Sequence, residues 1–413
     1  MASVARKNLL EDIPRFLVAQ AGVMFAVSLV TIQTGIIQGF GRSTTTIIDD
    51  SSADIWLSAE EMVNLQLTLP IPAATVADAE EVEGVRHAEA LLTRTTMWRG
   101  PNGEISPVQI IGFDPASTLF SAGSITEGDV GRLQEPHTIL PDASNLNSLG
   151  LHGGVGDDAT ISSLPARVVG LTEGTQSLPA SAYIFTSLRN ANAYLTSGFN
   201  SSTNCRLEDG NLFCKNNFQR TPDPTELPAP DPLSASDAIT YVLVEAEPGQ
   251  DLQALKQRLE EHLPNVRALT REEMSTQTRD FWIQRTGIGF ILGLGATVGV
   301  VVGMVVVGQI LYASVSDHVK EFGTLKAMGA SDWMIYRIII EQAMWMAVLG
   351  YVPSVALCWA VGMWTLSAQG IAILITPVSA AGVLGITVLM CVGSAIIAIQ
   401  RVTHVDPAVV FKA

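Results

Sequence analysis

Two cysteines in the middle of the chain are spaced for covalent chemistry. Cys205 and Cys214 flank the segment RLEDGNLF, and no histidine or further cysteine stands near them in the sequence. In an oxidising compartment such a pair forms a disulfide bond that closes a short loop, whereas two free thiols and a metal site are the alternatives. We predict the disulfide, because nearby metal ligands are missing.

Residues that could catalyse a reaction are not grouped in this sequence. His87, His137 and His152 are scattered, and single histidines are far more often packing or surface residues than catalysts. The motifs G-x-S-x-G and H-E-x-x-H are missing, and so is the phosphate-binding motif G-x-x-x-x-G-K-[ST]. We therefore expect no enzyme active site, no metal site and no bound cofactor in this chain.

The sequence contains four long apolar stretches. Of the 413 residues, 47% are hydrophobic and only 15% are charged. A helix needs about 20 mostly apolar residues to cross a bilayer, and residues 16–40, 287–311, 338–366 and 378–399 meet this length. We expect the first to be an uncleaved anchor, since it is longer than the core of a signal peptide and no small-x-small cleavage site follows. A cleaved signal peptide is the alternative.

The placement of lysine and arginine predicts the orientation of these spans, because cytoplasmic loops carry an excess of both. The basic residues are Arg6, Lys7 and Arg15 before the first span, Lys320, Lys326 and Arg337 before the third, and Arg401 and Lys412 after the fourth. We therefore expect both termini and the loop between the second and third spans to be cytoplasmic, and residues 42–280 to be external.

The net charge of the chain is −16, which excludes nucleic acid as a partner because a negatively charged protein does not neutralise phosphates.

The long segment between the first two spans predicts an α+β domain. Residues 75–85 predict a helix, and residues 86–100 and 104–114 predict a β-hairpin around Pro-Asn-Gly. Residues 238–270 predict a strand, an amphipathic helix and another strand. Both predicted helices lead into a strand that starts with Val-Arg, so we expect a ferredoxin-like arrangement of two β-α-β-like units. Residues 125–185 predict a second, β-rich subdomain.

A stretch rich in asparagine, serine and proline interrupts this domain at residues 197–236. Its few large apolar residues predict an irregular loop rather than a folded element. Long loops in compact domains are usually either functional or unstructured insertions. We favour a contact surface for a partner.

The second span is rich in glycine at helical spacing. Glycine at four-residue intervals clears a smooth helix face and lets another helix approach closely. The partner of this face is either the first span or the same helix of a second copy, while the general abundance of glycine in membrane helices is the alternative explanation. The predicted packing residues are Gly289, Gly293, Gly295, Gly299 and Gly303.

A short amphipathic segment separates the second and third spans. Apolar residues recur every three positions from Val319 to Met328, which predicts one apolar stripe on a helix. Gly329 is well placed to end that helix. A helix that lies on the lipid surface is the alternative to one that binds a protein. The low content of basic residues favours the protein partner.

This segment resembles the one that follows the second span in FtsX-like permeases of the MacB type. The family typically reads R-x-x-E-I-G-x-L-[RK]-A-[LI]-G-A-[ST], and residues 319–331 read VKEFGTLKAMGAS. Glu341 near the start of the third span and VDPAVVFKA at 405–413 also resemble the family. The resemblance implies that a cytoplasmic ATPase binds Val319, Lys320, Glu321, Phe322, Leu325, Lys326, Met328, Gly329 and Ala330.

The resemblance covers the whole chain and implies its fold class. We expect an α-helical membrane protein with four transmembrane helices plus a large α+β periplasmic domain of the MacB type, with ferredoxin-like and β-rich subdomains. Residues 16–57 more closely resemble the DevC permeases of cyanobacteria, which work with a separate ATPase and a membrane-fusion protein. We therefore expect the ATPase to be a separate chain and the cargo to be lipid-like, such as a glycolipid.

The family also implies a set of partners and a mechanical cycle. A homodimer would bind two copies of an ABC ATPase, which holds the ATP and Mg²⁺, and movement of the spans would drive the external domain. A periplasmic membrane-fusion adaptor and a TolC-like outer-membrane protein would complete an exporter in the bacterial inner membrane, with membrane lipid around the spans. Two alternatives share this layout: an FtsX-like mechanotransmitter that activates cell-wall hydrolases, and a Lol-like extractor of lipoproteins.

The predicted organisation assigns every part of the chain to a segment. The segments are the cytoplasmic N-terminus (1–15), the first span (16–41), the periplasmic domain (42–280) with its loop insertion (197–236), the second span (281–311), the cytoplasmic coupling helix and turn (312–334), the third span (335–366), a short periplasmic loop (367–377), the fourth span (378–400) and the cytoplasmic C-terminus (401–413).

Overall fold

The computed structural model describes residues 13–178, 181–197, 201–208, 211–218, 229–317, 321, 323–324, 328–369 and 373–403. The chain divides into two compact units. The helical unit comprises Met1–Gly39 and Thr286–Ala413, and the β-rich unit comprises Phe40–Arg285.

The helices of both units are numbered here in chain order. They are α1 (Ile13–Asp49), α2 (Thr75–Glu80), α3 (Leu188–Thr196), α4 (Leu252–His262), α5 (Arg271–Thr286), α6 (Ile288–Asp317), α7 (Asp332–Gln369) and α8 (Pro377–Thr403).

The strands belong to the β-rich unit. They are β1 (Ile55–Ala59), β2 (Ile71–Pro72), β3 (Val85–Arg99), β4 (Ile105–Phe113), β5 (Ser124–Gly128), β6 (Thr138–Pro141), β7 (Asp158–Ile161), β8 (Leu164–Val168), β9 (Gly170–Glu173), β10 (Ala182–Ser187), β11 (Ser201–Glu208), β12 (Asn211–Phe218), β13 (Ala238–Ile239), β14 (Tyr241–Ala246) and β15 (Val266–Thr270).

Four helices in the described part of the chain, α1, α6, α7 and α8, are long and apolar enough to cross a membrane. The bounds of all four differ from the predicted spans, and the differences are largest for α1 and α6. Helix α1 continues past residue 41 to Asp49. Residues 281–286 belong to α5 rather than to the second span. Gly287 separates α5 from α6 because its φ of +65° is left-handed, a conformation that ends a helix.

One half of the main sheet has the predicted ferredoxin-like topology. Strands β1, β3, β14 and β15 lie in the spatial order β15-β1-β14-β3, and neighbouring strands are antiparallel. Helix α2 precedes β3 and α4 precedes β15, which completes two β-α-β units with the strand order of that fold. Buried side chains of α4, such as Leu255 and Leu259, pack with those of this sheet, such as Val242 and Val244.

The other half of the sheet closes on itself. Beyond β3 the order continues β4-β10-β6-β8-β7, and β7 also pairs with β3. Strand β3 is long enough to serve both halves: it pairs with β14 through its first part and with β4 and β7 through its second. The predicted β-rich subdomain is therefore a barrel, inserted between β3 and β14. Its core includes Trp98, whose Nε1 donates a hydrogen bond of 2.9 Å to the carbonyl of Leu149.

The excursion at 197–236 is not an irregular loop throughout, as composition predicted. Strands β11 and β12 pair in register from Ser201 opposite Phe218 to Glu208 opposite Asn211. The sequence Asp-Gly stands between them at 209–210, and Asp-Gly is a strong local signal for a two-residue hairpin. This signal outweighs the polar composition, because the backbone pairing of a hairpin does not need large apolar side chains.

Glu273 ties the start of α5 to neighbouring elements of the β-rich unit. Its carboxylate accepts a hydrogen bond of 2.8 Å from the backbone N–H of Thr270 and forms an ion pair with Lys256 on α4. Partial burial acts to raise the pKa of Glu273, but the hydrogen bonds and the charge of Lys256 outweigh it and lower the pKa below its ordinary value. The ionised carboxylate therefore stabilises this junction.

Candidate functional site

The glycines of α6 lie against α1 within the helical unit. A Cβ atom built on Gly299 would lie 2.9 Å from Cδ2 of Leu29. One built on Gly303 would lie 2.6 Å from Cβ of Ala26 on α1 and even closer to Sδ of Met390 on α8. Gly295 faces Gln33 even more closely. These three glycines are four residues apart, so they share one face of the helix. The absence of side chains on this face lets the backbones of α1 and α6 approach closely.

The remaining glycines of the predicted packing set are placed differently. A Cβ on Gly293 would meet no atom within 4 Å, and Gly289 is half-buried. Positions 289 and 293 are offset by two residues from the 295–299–303 series. This offset turns them about 200° around a helix with 100° per residue. Within the described part of this chain, Gly293 therefore does not lie on the face that contacts α1.

A second seam joins α1 to α7 through hydrogen bonds. Gln20 donates from Nε2 to the carbonyl of Met346 at 3.5 Å. Ser354 donates to the carbonyl of Met24 at 3.3 Å, and one turn further Cys358 donates from Sγ to the carbonyl of Ser28 at 3.6 Å. The acceptors on α1 are four residues apart, as are Ser354 and Cys358 on α7. In an apolar medium such bonds satisfy polar side chains and fix the register of parallel helices.

Helix α8 completes the packing of the helical unit. Ser394 donates a hydrogen bond of 2.7 Å to the carbonyl of Met304 on α6. Tyr351 on α7 donates one of 2.8 Å to the carbonyl of Ala380 on α8. Helix α1 therefore contacts α6 and α7, and α8 contacts the same two helices. Any displacement of α1 must disturb both of its seams.

Part of the predicted ATPase-binding segment lies in the described residues. Glu321 and Met328 are exposed, and the side chain of Met328 keeps 72% of its accessible surface. Gly329 has a left-handed φ of +92°, and Ala330 is half-buried just before α7 begins. Val319, Lys320, Phe322, Leu325 and Lys326 lie outside the described residues.

The two cysteines of the external segment stand on paired strands. Cys205 on β11 and Cys214 on β12 are directly opposite each other in an antiparallel register. Cα atoms of opposed residues in such a pair are about 4.5–5.5 Å apart, and disulfide bonds join Cα atoms about 4.4–6.8 Å apart. The backbone register is compatible with a disulfide bond between Cys205 and Cys214. The disulfide itself stays a prediction.

The three scattered histidines lie in separate places, yet one belongs to a cluster that the sequence analysis missed. His87 contacts Glu80 through Nδ1 at 3.0 Å and Glu89 through Nε2 at 3.2 Å. Glu89 also accepts a hydrogen bond from Ser117. The available signal was the pair His87-x-Glu89 on one strand, because residues two apart on a strand share a face. The cluster places one imidazole ring between two carboxylates.

The other two histidines have structural surroundings. His137 is buried beside the ring of Tyr194, with ring centroids 6.2 Å apart. The Nε2 of His152 lies 3.3 Å from the amide nitrogen of Asn102 on the surface. Among the residues that the structure describes, no three His, Cys, Asp or Glu side chains are grouped so as to hold a metal ion.

Comparison with known protein families gives two matches that together span most of the chain. Residues 16–262 match the MacB-like periplasmic core domain, and residues 293–407 match the C-terminal domain of FtsX-like permeases. No curated protein sequence matches the chain. The first match alone extends over more than half of the 413 residues.

Comparison with solved structures gives three similar chains at low identity. The periplasmic region of MacB from Actinobacillus actinomycetemcomitans is 9% identical, with a TM-score of 0.35, over 58% of this chain and 94% of that one. The extracellular domain of the noncanonic ABC-type transporter YknZ from Gram-positive bacteria is 8% identical, with a TM-score of 0.34, over 53% and 100%. A domain of a putative permease from Porphyromonas gingivalis is 14% identical, with a TM-score of 0.31, over 53% and 89%.

The family assignment rests on the two sequence matches rather than on these low scores. The described residues also include four membrane-length helices, as a permease requires. We conclude that this chain belongs to the MacB/FtsX-like permease family.

Proposed function

We propose that this chain couples ATP hydrolysis by a separate ATPase to the mechanical export of a lipid-like substrate. The chain is a multi-pass membrane protein and a permease subunit of the ABC-transporter class, whose family members work with a cytoplasmic ABC ATPase. Export through a periplasmic adaptor and a TolC-like outer-membrane duct is the finer part of the proposal. A glycolipid is the proposed cargo, because residues 16–57 resemble the DevC permeases.

The continuity of α1 is the observation that carries the mechanical part. This single helix runs from Ile13 to Asp49, and it passes from the helical unit into the β-rich unit at residue 40. Ile47 and Ile48, in its last turn, are buried in the core of the β-rich unit. A hydrogen-bonded helix of 37 residues is about 55 Å long at 1.5 Å per residue. Movement of α1 among the spans would therefore pull on a buried part of the other unit.

The input to this movement would come from the segment between α6 and α7. Met328 exposes its apolar side chain to solvent, and the left-handed Gly329 separates it from α7. An exposed apolar side chain is suited to a groove on a partner protein. We propose that the ATPase provides that groove, and that α6 carries the motion to the face where Gly299 and Gly303 meet α1.

The proposed assembly is a homodimer in the inner membrane with both termini in the cytoplasm. Two copies of the chain would bind two ATPase subunits, and the β-rich unit would bind the adaptor in the periplasm. ATP and Mg²⁺ would be held by the ATPase. In this arrangement the substrate does not pass between the spans. The β-rich unit instead pushes it from the periplasm, or from the outer leaflet of the inner membrane, towards the duct.

A pull-down in lipid nanodiscs tests the proposal. The full chain with an affinity tag serves as bait, and mass spectrometry identifies the proteins that are retained with and without ATP. We expect an ABC ATPase together with a membrane-fusion protein. An ATPase with a cell-wall hydrolase and no fusion protein would favour the FtsX-like transmitter, and an ATPase with lipoproteins would favour Lol-like extraction. Either result would overturn the exporter, and the absence of any ATPase would overturn all three functions.

A further inference from the structure

A loop of the β-rich unit presents apolar side chains to solvent. We call residues 62–70, between β1 and β2, the apolar loop. Within it Leu67 keeps 55% and Leu69 keeps 54% of their accessible surface, and Val63 is also exposed. Scattered exposed apolar residues need no explanation, but several on one short loop indicate a surface that contacts another apolar phase.

The apolar loop is held firmly, so the exposure of these side chains is part of its fold. Met62 and Leu65 are buried. The hydroxyl of Tyr241 donates a hydrogen bond of 2.9 Å to the carbonyl of Leu65. Asn64 accepts hydrogen bonds through Oδ1 from the backbone N–H groups of residues 66 and 67, at 2.8 and 2.9 Å. These bonds satisfy N–H groups at the tip of the loop, which lowers the penalty for moving that tip out of water.

Hydrogen bonds join the apolar loop to helix α5, which precedes the membrane-length helix α6. Gln277 donates from Nε2 to the carbonyls of residues 62 and 63, at 3.2 and 3.1 Å. Thr278 accepts from the N–H of Leu65 at 3.2 Å. Further along α5, Trp282 donates from Nε1 to Oε1 of Gln66 at 3.3 Å. The tip of the loop is therefore beside the end of α5 that leads into α6.

The covalent distance from this contact to the membrane span is short. Trp282 stands six residues before Ile288, the first residue of the apolar helix α6. Six residues reach about 9 Å as a helix and at most about 20 Å when fully extended. Phe281 and Trp282 form an edge-to-face pair with ring centroids 5.7 Å apart, and tryptophan is enriched at the boundary between lipid and water. Arg285 is exposed just before the span, where it can meet lipid phosphates.

We propose that the apolar loop inserts Leu67, Leu69 and Val63 into the bilayer surface on the side of the β-rich unit. The lipid is the occupant that chain connectivity favours, because the loop is bonded to a helix that enters the bilayer within a few residues. Chain connectivity gives no corresponding argument for a protein partner at the loop. The proposal does not depend on ATP-driven export, so the pull-down described above can fail without affecting it.

Lipid-quenching fluorescence tests this contact in the full chain. Leu67→Cys is made in a background in which all four native cysteines, at 205, 214, 358 and 391, are replaced by serine. It is labelled with an NBD fluorophore and placed in phosphatidylcholine–phosphatidylglycerol nanodiscs. The matched control is Ile105→Cys, because Ile105 on β4 is equally exposed, at 56% of its accessible surface. We expect lipids with a doxyl quencher near the headgroup to reduce the emission from position 67 and to leave that from position 105 unchanged.

Three results would overturn the proposal. Equal emission from positions 67 and 105 with and without quencher would show that the loop does not touch lipid. A blue-shifted but unquenched label at 67 would indicate burial against protein. Equal quenching at both positions would show that contact is not confined to the loop. Leu69→Cys provides a second labelling position in case Leu67→Cys misfolds, and it is expected to be quenched in the same way.

Discussion

The close approach of α1 and α6 predicts that one added methyl group at Gly303 will destabilise the helical unit. The perturbation is Gly303→Ala, which places a Cβ 2.6 Å from the Cβ of Ala26 on α1 and even closer to the flexible side chain of Met390 on α8. The matched control is Gly293→Ala on the same helix, where a Cβ meets nothing within 4 Å. Both substitutions add the same atom, and only one of them adds it to the packed face.

The size of the effect follows from the geometry. Two carbon atoms attract best when they are about 3.5–4.0 Å apart, so the pair at 303 and 26 must separate by about 1 Å. Neither atom can rotate away, because each is bonded directly to a helix backbone. Such overpacking costs about 1–3 kcal/mol, whereas replacing glycine by alanine in a helix gains about 1 kcal/mol at either site. We expect Gly303→Ala to be about 1–3 kcal/mol less stable than Gly293→Ala.

Reversible unfolding in mixed micelles measures this difference. Purified variants in dodecyl maltoside are titrated with sodium dodecyl sulfate, and helix content gives the free energy of unfolding. The expected gap corresponds to about a 5- to 150-fold change in the equilibrium constant. Equal stabilities of the two variants would refute the close packing of α6 on α1 and α8 at Gly303. A loss at Gly293→Ala alone would place the packing face on the other side of α6.

Three further changes probe other parts of the molecule. The double variant Leu325→Glu, Met328→Glu should lose the co-purifying ATPase and keep the melting temperature of the β-rich unit, because charged side chains on the apolar stripe cannot enter an apolar groove. Recovery of the ATPase at full yield would contradict the prediction that this segment binds it. Intact mass spectrometry with and without reduction should find Cys205 and Cys214 alkylated only after reduction, and alkylation without reductant would exclude the disulfide. Glu273→Gln should lower the melting temperature at neutral pH but not in acid. The pKa of Glu273 is lowered on folding, so its contribution is complete above its ordinary value of 4.5 and is lost as the pH falls through the folded-state pKa. An equal loss at all pH values would point to packing instead.

The β-rich unit shows where local sequence signals succeed and where they fail. The β3–β4 hairpin follows from the Pro-Asn-Gly turn and the helix α4 from amphipathic spacing, and both form as predicted. The closure of the barrel through β7 and the second part of β3 has no local signal. It depends on pairing between segments about 60 residues apart, and such pairing is decided by which edges meet after the chain has folded. The Asp-Gly sequence between β11 and β12 favours a hairpin, but the polar composition of the surrounding segment led to the prediction of an irregular loop.

The helical unit divides in the same way. Glycine spacing predicted a packing face on α6 and left open whether α1 or a second copy would fill it. In the structure α1 lies on Gly295, Gly299 and Gly303, while Gly293 faces no neighbour. The sequence shows which glycines are four residues apart, but the orientation of the helix about its own axis decides which of them contact a neighbouring helix.

The sequence by itself determined the number of membrane-length helices, the α+β character of the large insertion and the resemblance to MacB-type permeases. These features depend on hydrophobic length, on periodicity and on motifs, all of which are written locally in the chain. The tertiary structure alone decided that α1 continues as one helix into the core around Ile47, that the strands close into a barrel, and that residues 62–70 lie beside Trp282. These features depend on contacts between residues far apart in the chain, which become neighbours only when the whole core forms.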